Sequence, residues 1–414
     1  ITMLTATKRR DPKAKKSTFR KVSEWLHLWL GLISGIIVFI VCFTGGVWVW
    51  RHEVWRYTEK HWYVEAQQKP YLPPSQLAAK AKAYFKTKNI NSDTINTLKY
   101  WKPGRSVTMY ITLPEKNQSV MYMDPYTGEV LADLRERTAA EQFFIFVRAG
   151  HRFFWLPQKI GSPVVGSACI IFVITIITGL IWWYPTKWTN KTAKDAFTVK
   201  WGAKWKRLNI DIHNVIGFYS VLFVLALTLS GIFFTFEWFE KGTYKALTWK
   251  TLSTEHIDPK SDTTVAQGRF AHPEDVIWNK LSRKYDGKFG GIQFNMPKEA
   301  SAPYEATVYF GDGNLLYNSV VNFFDQKTAK ELPPVMQHDK PYANLSAGEK
   351  LFRMNFDIHT GQILGLPTKI LAFFACMIGA SMPITGFIIW YNRKWGKSNS
   401  RRKKRGVKQT PQLV

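Results

Sequence analysis

The stretch Trp-Leu-His-Leu-Trp-Leu-Gly at residues 25–31 recurs in outline as Asp-Ile-His-Asn-Val-Ile-Gly at 211–217. In both stretches a histidine stands four residues before a glycine, and a long apolar run follows. His27 and His213 therefore occupy the same frame of two related segments. A titratable side chain inside an apolar span is a candidate functional group. This duplicated frame decides both the predicted fold and the predicted site.

Four stretches of the 414-residue chain carry no charged side chain, at 25–50, 160–186, 212–236 and 370–392. Each reaches the roughly 20 apolar residues that cross a hydrocarbon core about 30 Å thick. Four such runs are difficult to bury in a soluble protein of this size, so we interpret them as transmembrane helices. The first run is too long for the apolar part of a signal peptide, and we expect it to be retained as an anchor.

Basic residues flank these spans and account for most of the net charge of +27. Residues 8–21, 187–207 and 392–414 together hold 24 Lys and Arg against two acidic residues. If the four helices simply alternate, all three segments lie on one side, which the positive-inside rule assigns to the cytoplasm. Anionic lipid head groups are a sufficient partner for this charge, so we predict no nucleic-acid binding.

The two long polar loops, at 51–147 and 238–352, are each predicted to fold as a small α+β unit. Helices are predicted at 75–86 and 273–285. The predicted strands are 106–113, 119–123, 130–131, 291–295, 304–310 and 315–324. A turn at Asp124 has a counterpart at Asp325, which supports a duplication of the whole unit.

The ends of the second and fourth spans also match, with Thr178-Gly179 aligned to Thr385-Gly386. The predicted fold is therefore a membrane α-helical protein, a four-helix transmembrane bundle built from two parallel repeats of helix, α+β domain and helix. Both termini are predicted in the cytoplasm and both domains on the outer side. The predicted segments are a basic N-terminus (1–23), TM1 (24–50), domain 1 (51–147), an outer interfacial segment with TM2 (148–186), a basic loop (187–210), TM3 (211–237), domain 2 (238–352), a second interfacial segment with TM4 (353–392) and a basic tail (393–414).

His27 and His213 are the first predicted cofactor ligands. Both lie about one turn inside the cytoplasmic interface, where facing helices of a bundle can supply two axial imidazoles to one haem iron. Gly31 and Gly217 lie on the same helix face as each histidine and leave room for a porphyrin edge. The alternative is a pair of polar caps at the helix ends.

His151 and His359 form a second predicted pair at the outer face, each upstream of a Leu-Pro-x-Lys-Ile string. Arg148 precedes His151 and Arg152 follows it, while Arg353 precedes His359. Arginine binds carboxylates in bidentate geometry, so these three side chains are candidates to hold haem propionates. The alternative is a pair of interfacial histidines beside lipid head groups.

The other titratable and sulfur-bearing residues give weaker signals. His52 is a rival outer ligand, although the second half has Trp238 at the equivalent position. The remaining histidines lack metal-ligand spacing and are interpreted as surface residues of the loops: His61, His256, His272 and His338. The three cysteines are far apart in apolar runs, so a disulfide, a thiolate metal site or a covalently attached haem is not indicated.

The layout resembles the PepSY-associated transmembrane family of bacterial inner-membrane proteins. The resemblance rests on Asp-Pro-Tyr-Thr-Gly-Glu-Val at 124–130, on His359-Thr360-Gly361 with Gly365, and on Thr-Gly-x-x-x-Trp at 385–390. It implies an inner-membrane protein with periplasmic domains. The family includes reductases of ferric siderophores, which would make this chain an electron carrier with two b-type haems.

The functional hypothesis is electron transfer across the bilayer to a ferric siderophore or other ferric chelate, whose reduction to Fe(II) releases the metal. The electron donor is unidentified, either a cytoplasmic reductase or a quinol. One alternative is a haem-free, membrane-anchored module that binds or regulates an envelope protein. A transport component for iron chelates is a further alternative, but the spans lack the repeated breaks of transporter helices.

Overall fold

A computed structural model describes residues 17–90, 94–114, 118–253, 257–264, 268–285, 288–336 and 340–396. Most of the two predicted basic termini lies outside these residues. His256 and His338 lie outside them as well.

The helices comprise long apolar segments and shorter, more polar ones. In chain order they are α1 (Thr18–Val49), α2 (Arg51–Thr58), α3 (Pro74–Thr87), α4 (Ala139–Phe153), α5 (Gln158–Trp183), α6 (Asn190–Phe197), α7 (Trp205–Asp211), α8 (Gly217–Phe233), α9 (Glu237–Thr248), α10 (Pro273–Lys284), α11 (Ala347–Arg353), α12 (Asn355–His359) and α13 (Leu366–Lys394). A π-helical turn at Ile212–Ile216 joins α7 to α8, and short 3₁₀ turns lie at Lys60–Trp62 and Tyr342–Asn344.

Four helices in the described part of the chain are long and apolar enough to cross a membrane: α1, α5, the continuous α7–α8 segment and α13. They coincide with the four predicted spans. The first begins earlier than predicted, at Thr18, because the Ser17 hydroxyl accepts a hydrogen bond from the Arg20 amide and caps the helix. Such a cap satisfies an amide that the helix itself leaves unpaired.

The boundaries predicted at the C-terminal ends of the two polar loops both fall inside helices. The boundary at 147/148 lies in α4, which starts at a capping box between Thr138 and Glu141. The boundary at 352/353 lies in α11, which starts at a capping box between Ser346 and Glu349. In both boxes the hydroxyl of the first residue accepts a hydrogen bond from the amide of the glutamate, and the glutamate carboxylate accepts one from the amide of the first residue. Each helix therefore has a fixed start. The segments that carry the outer histidines are therefore helical.

The strands form one antiparallel sheet in the order β4-β3-β2-β1-β5-β6-β7-β8. Their bounds are β1 (Thr94–Trp101), β2 (Val107–Thr112), β3 (Gln118–Met123), β4 (Val130–Leu134), β5 (Phe289–Asn295), β6 (Tyr304–Phe310), β7 (Ser319–Phe324) and β8 (Glu331–Leu332). The six predicted strands correspond to β2 through β7. The prediction missed β1 and β8.

The two loops join into a single body, which corrects the prediction of two separate α+β units. β1 pairs with β5, with Leu98 opposite Phe294 and Tyr100 opposite Ile292. One continuous apolar core lies on one face of the sheet, beneath α3 and α10. Asp275 of α10 accepts hydrogen bonds from the amide and hydroxyl of Ser75 in α3, at 2.8 and 2.5 Å. Burial of this shared core therefore stabilises both loops together.

Small residues allow the membrane helices to approach closely. A Cβ added at Gly35 of α1 would lie 3.3 Å from the Cβ of Pro383 in α13. One added at Gly46 would lie 3.3 Å from the Cβ of Cys376 in α13. Without a hydrophobic force between helices in lipid, such close backbone packing supplies much of the helix association.

Candidate functional site

The two histidines of the duplicated frame face each other at one end of the bundle. His27 projects from α1 and His213 from the π-helical turn before α8, and their ring centroids lie 6.1 Å apart. A π-helical turn widens the helix locally and is frequent at functional sites. The sequence frame therefore corresponds to a pair of imidazoles in space.

The second predicted pair forms at the other end of the bundle. His151 lies near the end of α4 and His359 at the end of α12, and their ring centroids are 5.9 Å apart. His151 contacts α1, and His359 contacts α8. Each outer histidine therefore packs against the membrane helix that opens its own half of the chain.

Hydrogen bonds orient all four rings through the same nitrogen. The Nδ1 atom donates to a helix carbonyl in three of them: His27 to Thr175 O at 2.9 Å, His151 to Val41 O at 2.8 Å and His359 to Leu227 O at 3.1 Å. A carbonyl oxygen only accepts, so Nδ1 carries the proton. This leaves Nε2 of the neutral ring with a lone pair available to a metal.

His213 reaches the same tautomer through a side chain. Its Nδ1 lies 2.8 Å from the Oγ1 atom of Thr385 in α13. That hydroxyl donates its own proton to Ser381 O at 2.9 Å, so it accepts from the imidazole. Partners of this kind fix the orientation and tautomer of metal-binding histidines.

Each imidazole lies against a glycine of a neighbouring helix. A Cβ added to the glycine would lie close to the Cε1 atom of the ring: 2.9 Å for Gly179 beside His27, 2.9 Å for Gly45 beside His151, 3.1 Å for Gly231 beside His359 and 3.4 Å for Gly386 beside His213. Each of these glycines follows Thr or Ser in the sequence. The four Thr/Ser-Gly steps therefore form the surfaces against which the rings pack.

The four Thr/Ser-Gly dipeptides were not predicted to be part of the site, and in the sequence they served only to align the two halves. The signal was nevertheless present, because Thr44-Gly45 aligns with Ser230-Gly231 and Thr178-Gly179 with Thr385-Gly386. A glycine at the same register in two related spans indicates a close approach. What approaches it can only be seen once the helices are packed.

We call His27 and His213 the inner pair, and His151 and His359 the outer pair. A cavity of about 500 Å³ surrounds the inner pair, and both of its histidines line the cavity. Gly31 and Gly217, predicted to make room for a cofactor, line it too. Its volume falls in the range of small-molecule and cofactor sites, about 300–1,000 Å³. Arg393 and Lys394 also line it, so two cations reach a cavity that is otherwise largely apolar.

An apolar layer separates the inner pair from the outer pair. It contains one buried residue from each membrane helix: Val38, Phe172, Val224 and Ala375. The carbonyl that accepts from His151 belongs to Val41 of α1, and Val41 lies 14 positions beyond His27 in the same helix. At 1.5 Å per residue this corresponds to about 21 Å along the helix axis. Leu227, which binds His359, is also 14 positions beyond His213.

The three predicted arginines differ in position. Arg152 follows His151 directly, and its guanidinium packs over the Phe153 ring at 5.3 Å. Arg148, one turn earlier, is exposed. Arg353 instead donates to the backbone oxygens of Lys340 and Ser319, at 2.8 and 2.7 Å, so it ties α11 to the sheet. Arg152 is therefore the arginine of the three best placed beside the outer pair.

His52 is not part of either pair. It lies in α2, and its ring packs edge-on against Trp55 at 5.3 Å. His61 packs on Tyr122 at 4.4 Å, and His272 is an exposed residue at the start of α10. Within the described ranges no group of three or more His, Cys, Asp or Glu side chains could hold a metal ion. The arrangement is thus two separate pairs of imidazoles.

Comparison with known proteins places the chain in a family. No curated protein matches the sequence significantly. A family model described as the PepSY-associated TM region matches residues 24–393, nearly the whole chain and all four apolar helices. The chain therefore belongs to the family of the PepSY-associated TM region.

Proposed function

We propose that this membrane protein binds two b-type haems and transfers electrons across the bilayer to a ferric chelate. The observation that carries the proposal is the presence of two imidazole pairs at opposite ends of the bundle, with ring centroids 6.1 and 5.9 Å apart. Metal–imidazole bonds of about 2 Å put the ring centres of two ligands on one metal roughly 6 Å apart. Both pairs fit that separation.

The tautomers support the same conclusion. Among the described residues, every hydrogen bond of the four rings runs through Nδ1, to Thr175, Thr385, Val41, Leu227 and Ser230. Nε2 of each ring is thus kept for another partner. A surface cap or an interfacial histidine has no need of a fixed tautomer and a glycine cradle.

Each pair of imidazoles would hold a haem iron, which would supply one-electron exchange between its ferric and ferrous states. The protein's own residues supply the rest. The carbonyl and hydroxyl partners hold each ring in place, and the apolar layer lies between the two pairs. Arg393 and Lys394 lie where they can bind anionic propionates of a group in the inner cavity.

We infer further that the two halves are parallel repeats and that both termini are cytoplasmic. The repeat rests on the shared 14-residue spacing in α1 and α8 and on the aligned Thr/Ser-Gly steps. The orientation rests on the positive-inside rule applied to the three basic segments. The inner pair then faces the cytoplasm, and the sheet lies in the periplasm of a bacterial inner membrane.

The electron acceptor in this proposal is ferric iron in a siderophore or other chelate on the side of the sheet. One electron converts Fe(III) to Fe(II), which binds hard oxygen ligands less tightly and leaves the chelate more readily. The electron comes from a cytoplasmic reductase or from quinol. The acceptor rests on the family resemblance, whereas the electron path rests on the two histidine pairs.

The test is a reduced-minus-oxidised visible spectrum of the detergent-purified protein, with haem quantified per chain after expression with ample haem supply. We expect two b-type haems, falling to about one in His27→Ala and in His359→Ala. His52→Ala is the matched control and should retain both. A second measurement mixes the dithionite-reduced protein, freed of excess reductant, with a ferric chelate and records reoxidation.

The alternative is a haem-free membrane anchor whose PepSY module binds or regulates an envelope protein. It is favoured by the large eight-stranded sheet, which is independent of the histidine pairs. It predicts no haem in the purified protein and no effect of His27→Ala on its function. A purified protein without haem would refute the electron-transfer proposal.

A further inference from the structure

The second face of the sheet carries cations and aromatic rings. Side chains alternate along a strand, so Leu98 and Tyr100 of β1 enter the core while Lys99 and Trp101 point to the opposite face. Trp101 lies opposite Gly291 of β5, which lies opposite Tyr309 of β6. Because Gly291 has no side chain, the Trp101 indole can lie over it, and a Cβ added there would be 3.4 Å from the indole Cε3 atom.

The Lys99 ammonium lies near both the Trp101 and the Tyr309 ring. Its Nζ atom lies 4.0 Å from the centre of the Trp101 ring and 4.2 Å from that of Tyr309. Arg105 lies against the same indole, with its Cζ atom 4.7 Å from the ring centre. The guanidinium also packs over Trp62 and Tyr63, each at 5.3 Å. Two cations therefore share one aromatic ring.

These cations are not neutralised within the described residues. Neither Lys99 nor Arg105 has an acidic partner within salt-bridge distance there, and the Arg105 Nε atom is buried without a hydrogen-bond partner. Burial and the neighbouring Arg105 lower the pKa of Lys99 to about 8. Burial also lowers the pKa of Arg105; Arg56 acts in the same direction, whereas Tyr63, Tyr122 and Asp312 act in the opposite one.

Cation–π contacts offset only part of this cost, since each contributes about 0.5–2 kcal/mol. Two like charges removed from water repel each other, and an anion bound beside them would offset both the repulsion and the loss of hydration. The cluster is thus better suited to a bound anion than to the empty state.

This face lies next to the outer end of the bundle. Tyr122 of β3 points to the same face and contacts His61, while the adjacent Trp62 contacts Trp55 of α2 at 5.4 Å. Trp55 in turn contacts Phe144 of α4 at 5.7 Å, two turns before the outer histidine of that helix. A ligand on this face would lie on the side of the sheet nearest the outer histidine pair.

We infer that Lys99, Arg105, Trp101 and Tyr309 form a binding site for an anionic, oxygen-rich chelate of the carboxylate or catecholate type. The ammonium and guanidinium groups bind the anionic oxygens, and the flanking rings pack against the planar parts of the ligand. That the ligand contains iron follows from the proposed function, whereas the preference for negative charge follows from the residues of the sheet alone. Neutral and cationic chelates gain nothing from the two cations.

The experiment is isothermal titration calorimetry of the full-length protein in detergent with three probes: ferric citrate, citrate without iron and a neutral ferric trihydroxamate. We expect ferric citrate to bind and the neutral chelate to bind at least tenfold more weakly. The double variant Lys99→Gln/Arg105→Gln should weaken ferric citrate binding at least tenfold. Lys86→Gln, which removes one charge from exposed α3 on the core side of the sheet, is the control and should leave binding unchanged.

A folding defect is controlled by Lys99→Arg, which keeps the charge and should retain binding. Equal binding of ferric citrate by the double variant and the unmodified protein would overturn the inference and leave the cluster as a structural cation–π contact. So would equal binding of the neutral and the anionic chelate. The calorimetric signal does not depend on haem, so a haem-free protein that binds ferric citrate refutes the electron-transfer proposal alone. A protein with two haems that binds no anion refutes only this site.

Discussion

Replacing the glycines beside the histidines tests the site most directly. In Gly179→Ala the new methyl group would lie 2.9 Å from Cε1 and 3.1 Å from Nδ1 of His27. Carbon atoms in contact normally lie about 3.5–4.0 Å apart, so the ring would have to move by about 0.6–1.1 Å. A ring displaced that far loses its alignment with Thr175 O and with the imidazole across the pair.

Overpacking of this kind typically costs about 1–3 kcal/mol, which would correspond to roughly a 5- to 150-fold loss of affinity for the haems of the proposed function. The effect should be graded by the distances. Gly179→Ala should weaken the inner haem more than Gly386→Ala, whose methyl would lie 3.4 Å from His213. Gly45→Ala, at 2.9 Å, should weaken the outer haem more than Gly231→Ala, at 3.1 Å.

The assay is the haem content per chain by pyridine haemochrome, together with the reduced-minus-oxidised spectrum and the midpoint potential of each haem. Gly242→Ala, in α9 with open space around the added methyl, is the control and should behave as the unmodified protein. Two haems with unchanged potentials in both Gly179→Ala and Gly45→Ala would refute the role assigned to the glycines.

Three further predictions concern single interactions. Thr385→Val removes the acceptor of the His213 imidazole proton, so affinity for the proposed inner haem should fall about 10- to 100-fold with a shifted midpoint potential. Thr87→Val, whose hydroxyl bonds only within α3, is the control and should change neither. The ammonium of buried Lys369 donates to the Glu53 carboxylate at 2.6 Å, so Glu53→Gln should lower the free energy of unfolding by about 2–4 kcal/mol. This loss should appear as a lower thermal transition temperature, and an unchanged temperature would contradict a net contribution from the pair. The pKa of Lys99 is about 8 in the folded protein and about 10.4 in an unfolded chain, so between these pH values the unfolded state binds more protons. The free energy of unfolding without ligand should therefore rise as the pH increases from about 8 to 10.4, and Lys99→Met should flatten that rise in urea titrations.

Periodicity and composition were sufficient for the elements whose pattern is local. The four spans, the helices α3 and α10 and the strands β2 to β7 each appear where the sequence predicted them. β1 was missed because its pairing partner β5 lies about 200 residues away, and its outward face carries Lys99 beside Trp101. The joining of the two loops into one sheet depends on that pairing and leaves no local pattern.

For the site, the structure brings the two histidines of each predicted pair close together, with ring centroids 6.1 and 5.9 Å apart. Their role as ligands stays a prediction. The hydrogen-bond partners, the glycine cradle and the π-helical turn at His213 came only from the structure, because they depend on how neighbouring helices pack. The capping boxes that start α4 and α11 were readable in the sequence, as Thr138-x-x-Glu141 and Ser346-x-x-Glu349, and would have placed His151 on a helix.

The apolar layer of Val38, Phe172, Val224 and Ala375 has a consequence for bioenergetics. None of these four side chains carries a titratable proton. Under the proposed function and orientation, an electron would cross this layer without a proton, so each turnover would move net charge across the membrane. Moving one charge across the whole membrane is equivalent to about 2.3 kcal/mol per 100 mV. The step of about 21 Å in a core of about 30 Å takes roughly 1.6 kcal/mol of this. Since the cell interior is negative, the membrane voltage itself drives the electron outward, and a protonophore should slow chelate reduction even when the donor is fully reduced.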